Sequence, residues 1–211
     1  MRNHGESGHA GSMYYMEMME DLKQFTHQQG IDKFSLLGHS LGGKVAMAFA
    51  LSYQELLDKL IILDIAPVRY NKNFRQLLDA MLSLDLSSIK SRNEANDILK
   101  SEIEEPEMRL FLLQNLYRDS DGFQWRINLP AINLSLADIG GFPTFMKSTQ
   151  YLEPVLFLDG DKSDYILPEY HDDIYAFFPA ARISTINNAN HWLHADQPVR
   201  VLEEIVQFLD S

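Results

Sequence analysis

Apolar and polar positions along the chain keep two alternating rhythms. Residues 14–29 (YYMEMMEDLKQFTHQQ) carry apolar side chains at helical spacing and stop at Gly30, which predicts a helix with a C-terminal stop signal. KFSLL, from Lys33, is a short apolar run and predicts a buried strand. After a glycine turn, residues 44–57 predict a helix with small residues on one side, and KLIILD, from Lys59, predicts the next strand. Short apolar runs separated by longer amphipathic stretches are the mark of βα units around a parallel sheet.

From residue 67 to about 149 the strand pattern vanishes and helical periodicity takes over, which in a sheet protein predicts a helical cap inserted over one end of the sheet. Its helices are well punctuated: Ser91 with Glu94 forms a capping-box pattern, and Pro106 stands where a first helical turn tolerates proline. The sheet pattern resumes at PVLFLDG, passes through a helix near 169–178, gives a strand at ARISTI and closes with a helix over 198–209. With no repeat, low-complexity tract or linker, the expectation is one α/β domain over 1–211, its core formed by 1–66 and 150–211 and its cap by about 67–149.

Composition narrows the class. Hydrophobic residues make up 45% and charged residues 23% of the 211, an ordinary globular mix, and a chain of this length can bury most of the surface it exposes when unfolded. The formal net charge of −12 repels polyphosphate, whereas nucleic-acid binders cluster Lys and Arg, so no nucleic-acid partner is expected. A chain without cysteine has no disulfide frame, no thiolate nucleophile and no sulfur-ligated zinc site. The start MRNHGESGHA lacks the apolar region of a signal peptide and no later run approaches a membrane span; the expectation is a cytoplasmic protein without one.

The chemistry starts at SLLGHSLGGKVAMAFA. A G-x-S-x-G pattern arises by chance in roughly one chain of this length in fifteen, so alone it says little. Gly38-His39-Ser40-Leu41-Gly42, however, follows an apolar strand and opens a helix, the setting a nucleophile elbow requires. Flanking glycines let the backbone turn sharply, and the helix behind Ser40 aims its partial positive end at the site. The plain alternative is a glycine-rich βα turn. A P-loop is excluded, since the GxxxxGK[ST] spacing is absent.

A serine hydroxyl is a poor nucleophile at neutral pH and needs a base with an orienting acid. The loop NNANHWLHADQP, after the last strand, holds His191 and His194; His191 is preferred because it comes first after the turn-forming Asn and Ala residues, while His194 lies nearer the final helix. The His-x-x-His pair has neither a third ligand nor an HExxH glutamate, so no metal is expected. Two carboxylates compete for the acid. Asp64 ends the strand next to the elbow unit, whereas Asp164 lies after the following strand, where many hydrolases of this architecture carry their acid. In that common pattern the acid stands three residues after the glycine, and Ser163 occupies the place, between Asp161 and Asp164. The residues favour Asp64 and leave Asp164 as the alternative.

The runs RNHGES, LLGHSLGGKVAM, IILDIAPV and HWLHADQP together closely resemble the α/β-hydrolase esterases of the YbfF type, whose animal relative is α/β-hydrolase domain-containing protein 11, from Met1 to the C-terminus. The resemblance implies an α/β-hydrolase fold, a parallel sheet flanked by helices with a helical cap, and a serine esterase or thioesterase acting on acyl esters or acyl-CoA-like substrates. It implies Ser40 as nucleophile, His191 as base, Asp64 as acid and the N–H of Leu41 as an oxyanion-hole donor, with no metal or organic cofactor. His39, Trp125 and Trp192 are expected at the substrate pocket. In the cap, Met81, Leu82, Phe111, Leu112, Leu116 and Phe145 are further apolar candidates, most of them expected to pack helices; Arg118 and Arg126 are candidates for an anionic group.

Members of that family carry strands before RNHG and an HG-type loop that supplies a second oxyanion donor, and this chain has neither. Removing the strand beside that of Ser40 leaves an edge with unpaired backbone groups. The expectation is therefore an N-terminally truncated fold: either a fragment, or a protein that covers this edge in another way, such as a homodimer. Losing one oxyanion donor typically costs about 10²- to 10³-fold in rate. A hydrolase-like binding module without turnover and a cofactor-free haloperoxidase-like enzyme stand as the alternatives to the esterase.

Overall fold

Helix α1 (Tyr15–Gln28) turns its Tyr15, Met18 and Met19 inward and leads into strand β1 (Phe34–His39), helix α2 (Leu41–Ser52) and strand β2 (Leu57–Leu63). The structure is a computed structural model, and it describes the 211 residues except Asn73, Thr144, Phe145, Lys147 and Ser148; the pocket candidate Phe145 lies outside the described residues. Strand β5 (Val155–Gly160), helix α7 (His171–Phe177), strand β6 (Ala181–Ile186), the short helix α8 (Leu193–Asp196) and helix α9 (Pro198–Leu209) complete the sheet-bearing part.

The four strands run parallel in the order β1-β2-β5-β6. Leu60 to Leu63 of β2 and Val155 to Leu158 of β5 are all buried, which is why these strands read as unbroken apolar runs: both of their faces are covered. One side of the core joins Ile61, Leu63, Leu156 and Leu158 to Val201 and Phe208 of α9. Strand β1 stands at the sheet edge, and its Leu37 is 45% exposed.

The chain divides into two compact units, Tyr15–Arg69 with Gly141–Ser211, just described, and Met1–Tyr14 with Tyr70–Gly140. The second unit holds helices α3 (Phe74–Leu82), α4 (Arg92–Leu99), α5 (Pro106–Leu113) and α6 (Leu129–Ile139). The predicted punctuation is present: the Ser91 hydroxyl accepts from the Glu94 N–H at 3.1 Å, and Pro106 opens α5. Its core gathers Ala80, Leu84, Leu99, Leu113 and Leu116, with Leu112 and Trp125 packed against them. Of the other pocket candidates there, Met81 is buried while Leu82 and Phe111 are exposed. Asn3, fully buried at φ 62°, ties the opening segment into this unit: its carbonyl accepts from the Asn128 N–H at 3.0 Å and its side-chain oxygen from the Ala10 N–H at 2.7 Å.

Two expectations need correction. The cap is not free of strands: β3 (Leu116–Asp119) and β4 (Gly122–Trp125) form an antiparallel hairpin. Four-residue strands are too short to display a period of two, and among helices they read as loop. Helix α2 begins at Leu41 rather than Lys44 and ends at Ser52 rather than Leu57. The Ser40 carbonyl accepts from the Lys44 N–H at 3.1 Å, which draws Gly42 and Gly43 into the first turn despite glycine's poor helix propensity. Among the described residues no helix is long and apolar enough to cross a membrane.

Candidate active site

Ser40 stands at the corner between β1 and α2 with φ 53° and ψ −123°, a region L-residues seldom occupy. The turn is tight enough that a Cβ on Gly38 would lie 2.7 Å from the Gly43 Cα and closer still to the Gly42 carbonyl oxygen. Only glycine fits there, which accounts for the first glycine of the motif. The Ser40 N–H donates to the Leu63 carbonyl at 3.1 Å, extending the β1–β2 ladder by one step and holding the corner in place. The first N–H groups of α2, that of Leu41 among them, have no partner within the helix by construction, so they face outward at the positive end of its dipole.

Asp64 follows β2 in the same way. It has φ 49°, is fully buried, and its N–H donates to the Leu158 carbonyl at 2.8 Å. The carboxylate accepts from the Gly160 N–H at 3.2 Å on one oxygen; on the other it accepts from the Ser163 hydroxyl and from His191 Nδ1, the latter at 2.7 Å. Three donors around one buried carboxylate offset the loss of water. Because the carboxylate can only accept, Nδ1 of His191 carries the proton. Nε2 is left as an acceptor, 3.0 Å from Ser40 Oγ, so the hydroxyl donates to it.

The loop that brings His191 to this place is anchored at both ends. Asn188 adopts φ 60°, which asparagine tolerates better than most residues. The Ala189 N–H donates to the Asp161 carboxylate at 3.1 Å, the Ala189 carbonyl accepts from the Lys162 N–H at 3.0 Å, and the Asn190 N–H donates to the Asp196 carboxylate at 2.8 Å. Asp161, in the sequence only a neighbour of the Ser163 position, thus helps to hold the loop.

The structure brings Ser40, Asp64 and His191 together. Asp164 is exposed, and the carboxylate on His191 Nδ1 is that of Asp64. His39 places Nε2 2.8 Å from the His191 carbonyl and packs its ring against those of His191, Trp192 and His194. Burial pushes its pKa down to about 4, so the ring is neutral near pH 7 and Nε2–H is the donor to that carbonyl. Trp192 packs at 5.5 Å from the His191 ring, edge to face. Trp125 lies on β4 against the apolar core of its own unit. The guanidinium groups of Arg118 and Arg126 lie over the rings of Phe123 and Tyr117.

Among the described residues, no group of three or more His, Asp or Glu side chains comes together in a way that could hold a metal ion. Two neighbours of the site carried no role in the sequence reading. Ser163 marked only the place where an acid was missing, and it hydrogen-bonds the acid that replaces it. Tyr165, in the same loop, stacks on the His191 ring with centroids 4.0 Å apart.

The family described as alpha/beta hydrolase fold matches residues 1–198. Among characterised proteins, the chain is 40% identical over 214 residues to the sn-1-specific diacylglycerol lipase ABHD11 of Danio rerio, covering 99% of this chain and 67% of that protein. It is 36% identical over 212 residues to esterase YbfF of Escherichia coli (strain K12), covering 100% of this chain and 81% of that protein. Among solved structures, a marine microorganism esterase superposes with a TM-score of 0.92 at 36% identity, over 98% of this chain and 82% of that one.

Proposed function

The chain belongs to the α/β-hydrolase family, and from that premise we propose that it is a serine hydrolase cleaving carboxylic esters, and acyl thioesters by the same chemistry, through an acyl-enzyme on Ser40. One similar protein is named a diacylglycerol lipase and two others esterases; the carboxylic ester is the chemistry they share. The observation that carries the reading is the unbroken hydrogen-bonded chain from Asp64 through His191 to Ser40, at 2.7 and 3.0 Å.

In the first step Ser40 Oγ attacks the acyl carbon while its proton passes to Nε2 of His191. The carbonyl oxygen takes the displaced electron pair, and the Leu41 N–H at the start of α2 donates to it. Collapse of this intermediate breaks the bond to the leaving alcohol or thiol, which departs with the proton from Nε2. In the second step His191 takes a proton from water, the hydroxide oxygen bonds to the acyl carbon, and Ser40 leaves with that proton to restore the resting state. Asp64 remains a carboxylate throughout, holding the Nδ1–H tautomer and stabilising the imidazolium.

The test is hydrolysis of p-nitrophenyl butyrate, with butyryl-CoA measured in parallel. Ser40→Ala is expected to lower kcat by about 10³-fold or more. Equal rates for the wild type and Ser40→Ala would overturn the enzyme reading, and loss of ester but not thioester turnover on substitution would overturn the single-site mechanism.

A further inference from the structure

His191 touches several rings, and among the described residues only one lies near-parallel to it. The Tyr165 ring stacks on the imidazole with centroids 4.0 Å apart and 23° between planes. His39 is tilted by 40° at 4.7 Å, and Trp192 stands at 64° at 5.5 Å. The two hydrogen bonds of His191, to Asp64 and Ser40, fix two nitrogens and leave the ring free to rock about the line joining them. A flat aromatic surface against one face removes that freedom.

The same surface discriminates by charge. The face of an aromatic ring is its negative side and attracts a cation more than a neutral ring, and in acyl transfer His191 becomes a cation as it takes the serine proton. A contact that strengthens toward the transition state raises kcat rather than ground-state binding. We propose that Tyr165 is a positioning residue for His191: its ring fixes the plane of the base and favours the imidazolium formed during acyl transfer. This rests on the acyl-transfer reading above.

The surroundings suit the role. Tyr165 is held by its N–H, which donates to Ser163 Oγ at 3.3 Å, and by buried Ile166 beside it. Burial, with the charges of Asp164 and Asp64, pushes its hydroxyl up to about 12, so it remains a neutral phenol. Of the other titratable groups near the imidazole, Asp64 is its hydrogen-bond partner, His39 is kept neutral by burial, and His194 packs edge to face on His39.

The experiment compares Tyr165→Phe, Tyr165→Leu and Tyr165→Met with the wild type on p-nitrophenyl butyrate from pH 5 to 9, with Ser40→Ala and His191→Ala as references and thermal melting to verify folding. Tyr165→Phe keeps the ring and should stay within about twofold of wild type. Tyr165→Leu should lower kcat about 5- to 30-fold with little change in KM, and move the acid limb of the kcat/KM profile to lower pH by about half a unit. Tyr165→Met supplies the same comparison if the leucine variant does not fold. Wild-type kcat and profile in Tyr165→Leu, equal losses in Tyr165→Phe, or a change in KM alone would overturn the proposal. Full activity in Ser40→Ala or His191→Ala would instead overturn the acyl-transfer reading.

Discussion

Ser40 and Asp64 both hold left-handed φ values without being glycine, at a cost of order 1–3 kcal/mol each. Each is held by the same device: an N–H that adds one rung to the parallel ladder, on Leu63 for Ser40 and on Leu158 for Asp64. The strained turns lift both side chains from the carboxyl ends of adjacent strands, and the His191 ring bridges them. His39 supports the His191 backbone through its carbonyl. In the native state it protonates only near pH 4, whereas in the unfolded chain it does so near 6.5. Between these values the unfolded state binds more protons, so stability falls as the pH drops through that window. Urea unfolding at pH 7 and pH 4 should show the wild type losing on the order of 2 kcal/mol more than His39→Gln, which has no titrating ring; equal losses would show that His39 is not the titrating group.

Among the elements, the decisive junction is the end of β5 against the His191 loop. A Cβ on Gly160 would lie 2.7 Å from the Asn190 carbonyl oxygen and closer to that of Ala189, while the Gly160 N–H donates to Asp64. One residue therefore sets the approach of the loop and orients the acid. Gly160→Ala should displace the loop and lower kcat at least 10-fold, since shifts near 1 Å can cost about 10²-fold, with a measurable fall in melting temperature. Unchanged kcat would mean that the loop can move without carrying the imidazole with it. In the hairpin β3–β4, Leu116, at its start, is fully buried in the core of its own unit, so a pair of very short strands is maintained by tertiary packing.

On the scale of the molecule, Lys44 joins distant stretches of chain. It is 2% exposed on α2, and its ammonium donates to the carbonyls of Val68 at 2.8 Å and Gly141 at 2.7 Å. These residues lie beside the two points where the chain leaves and re-enters the sheet unit. Burial, and after it the charge of Arg69, pushes its pKa down to about 7, against 10.5 in the unfolded chain. Between those values the unfolded state binds more protons, so the contribution of Lys44 to stability rises with pH. Denaturant unfolding at pH 7 and 9.5 should show the wild type gaining on the order of 2–3 kcal/mol relative to Lys44→Met. A pH-independent difference would place the ammonium in a wetter setting than its burial suggests.

The four parallel strands, the helices around them and the turn at Ser40 were legible from the chain alone, because each rests on local signals: a run of apolar residues, a helical period, glycines at fixed offsets. Asp64 was only favoured over Asp164 by such signals, since two carboxylates at the ends of neighbouring strands look alike until the strands are laid side by side. The Ser163 contact to Asp64, the stacking of Tyr165 on His191, the Gly160 packing and the Lys44 clasp were decided by tertiary structure. All four are contacts between segments far apart in sequence, and no local period or spacing records a neighbour that arrives only when the sheet closes.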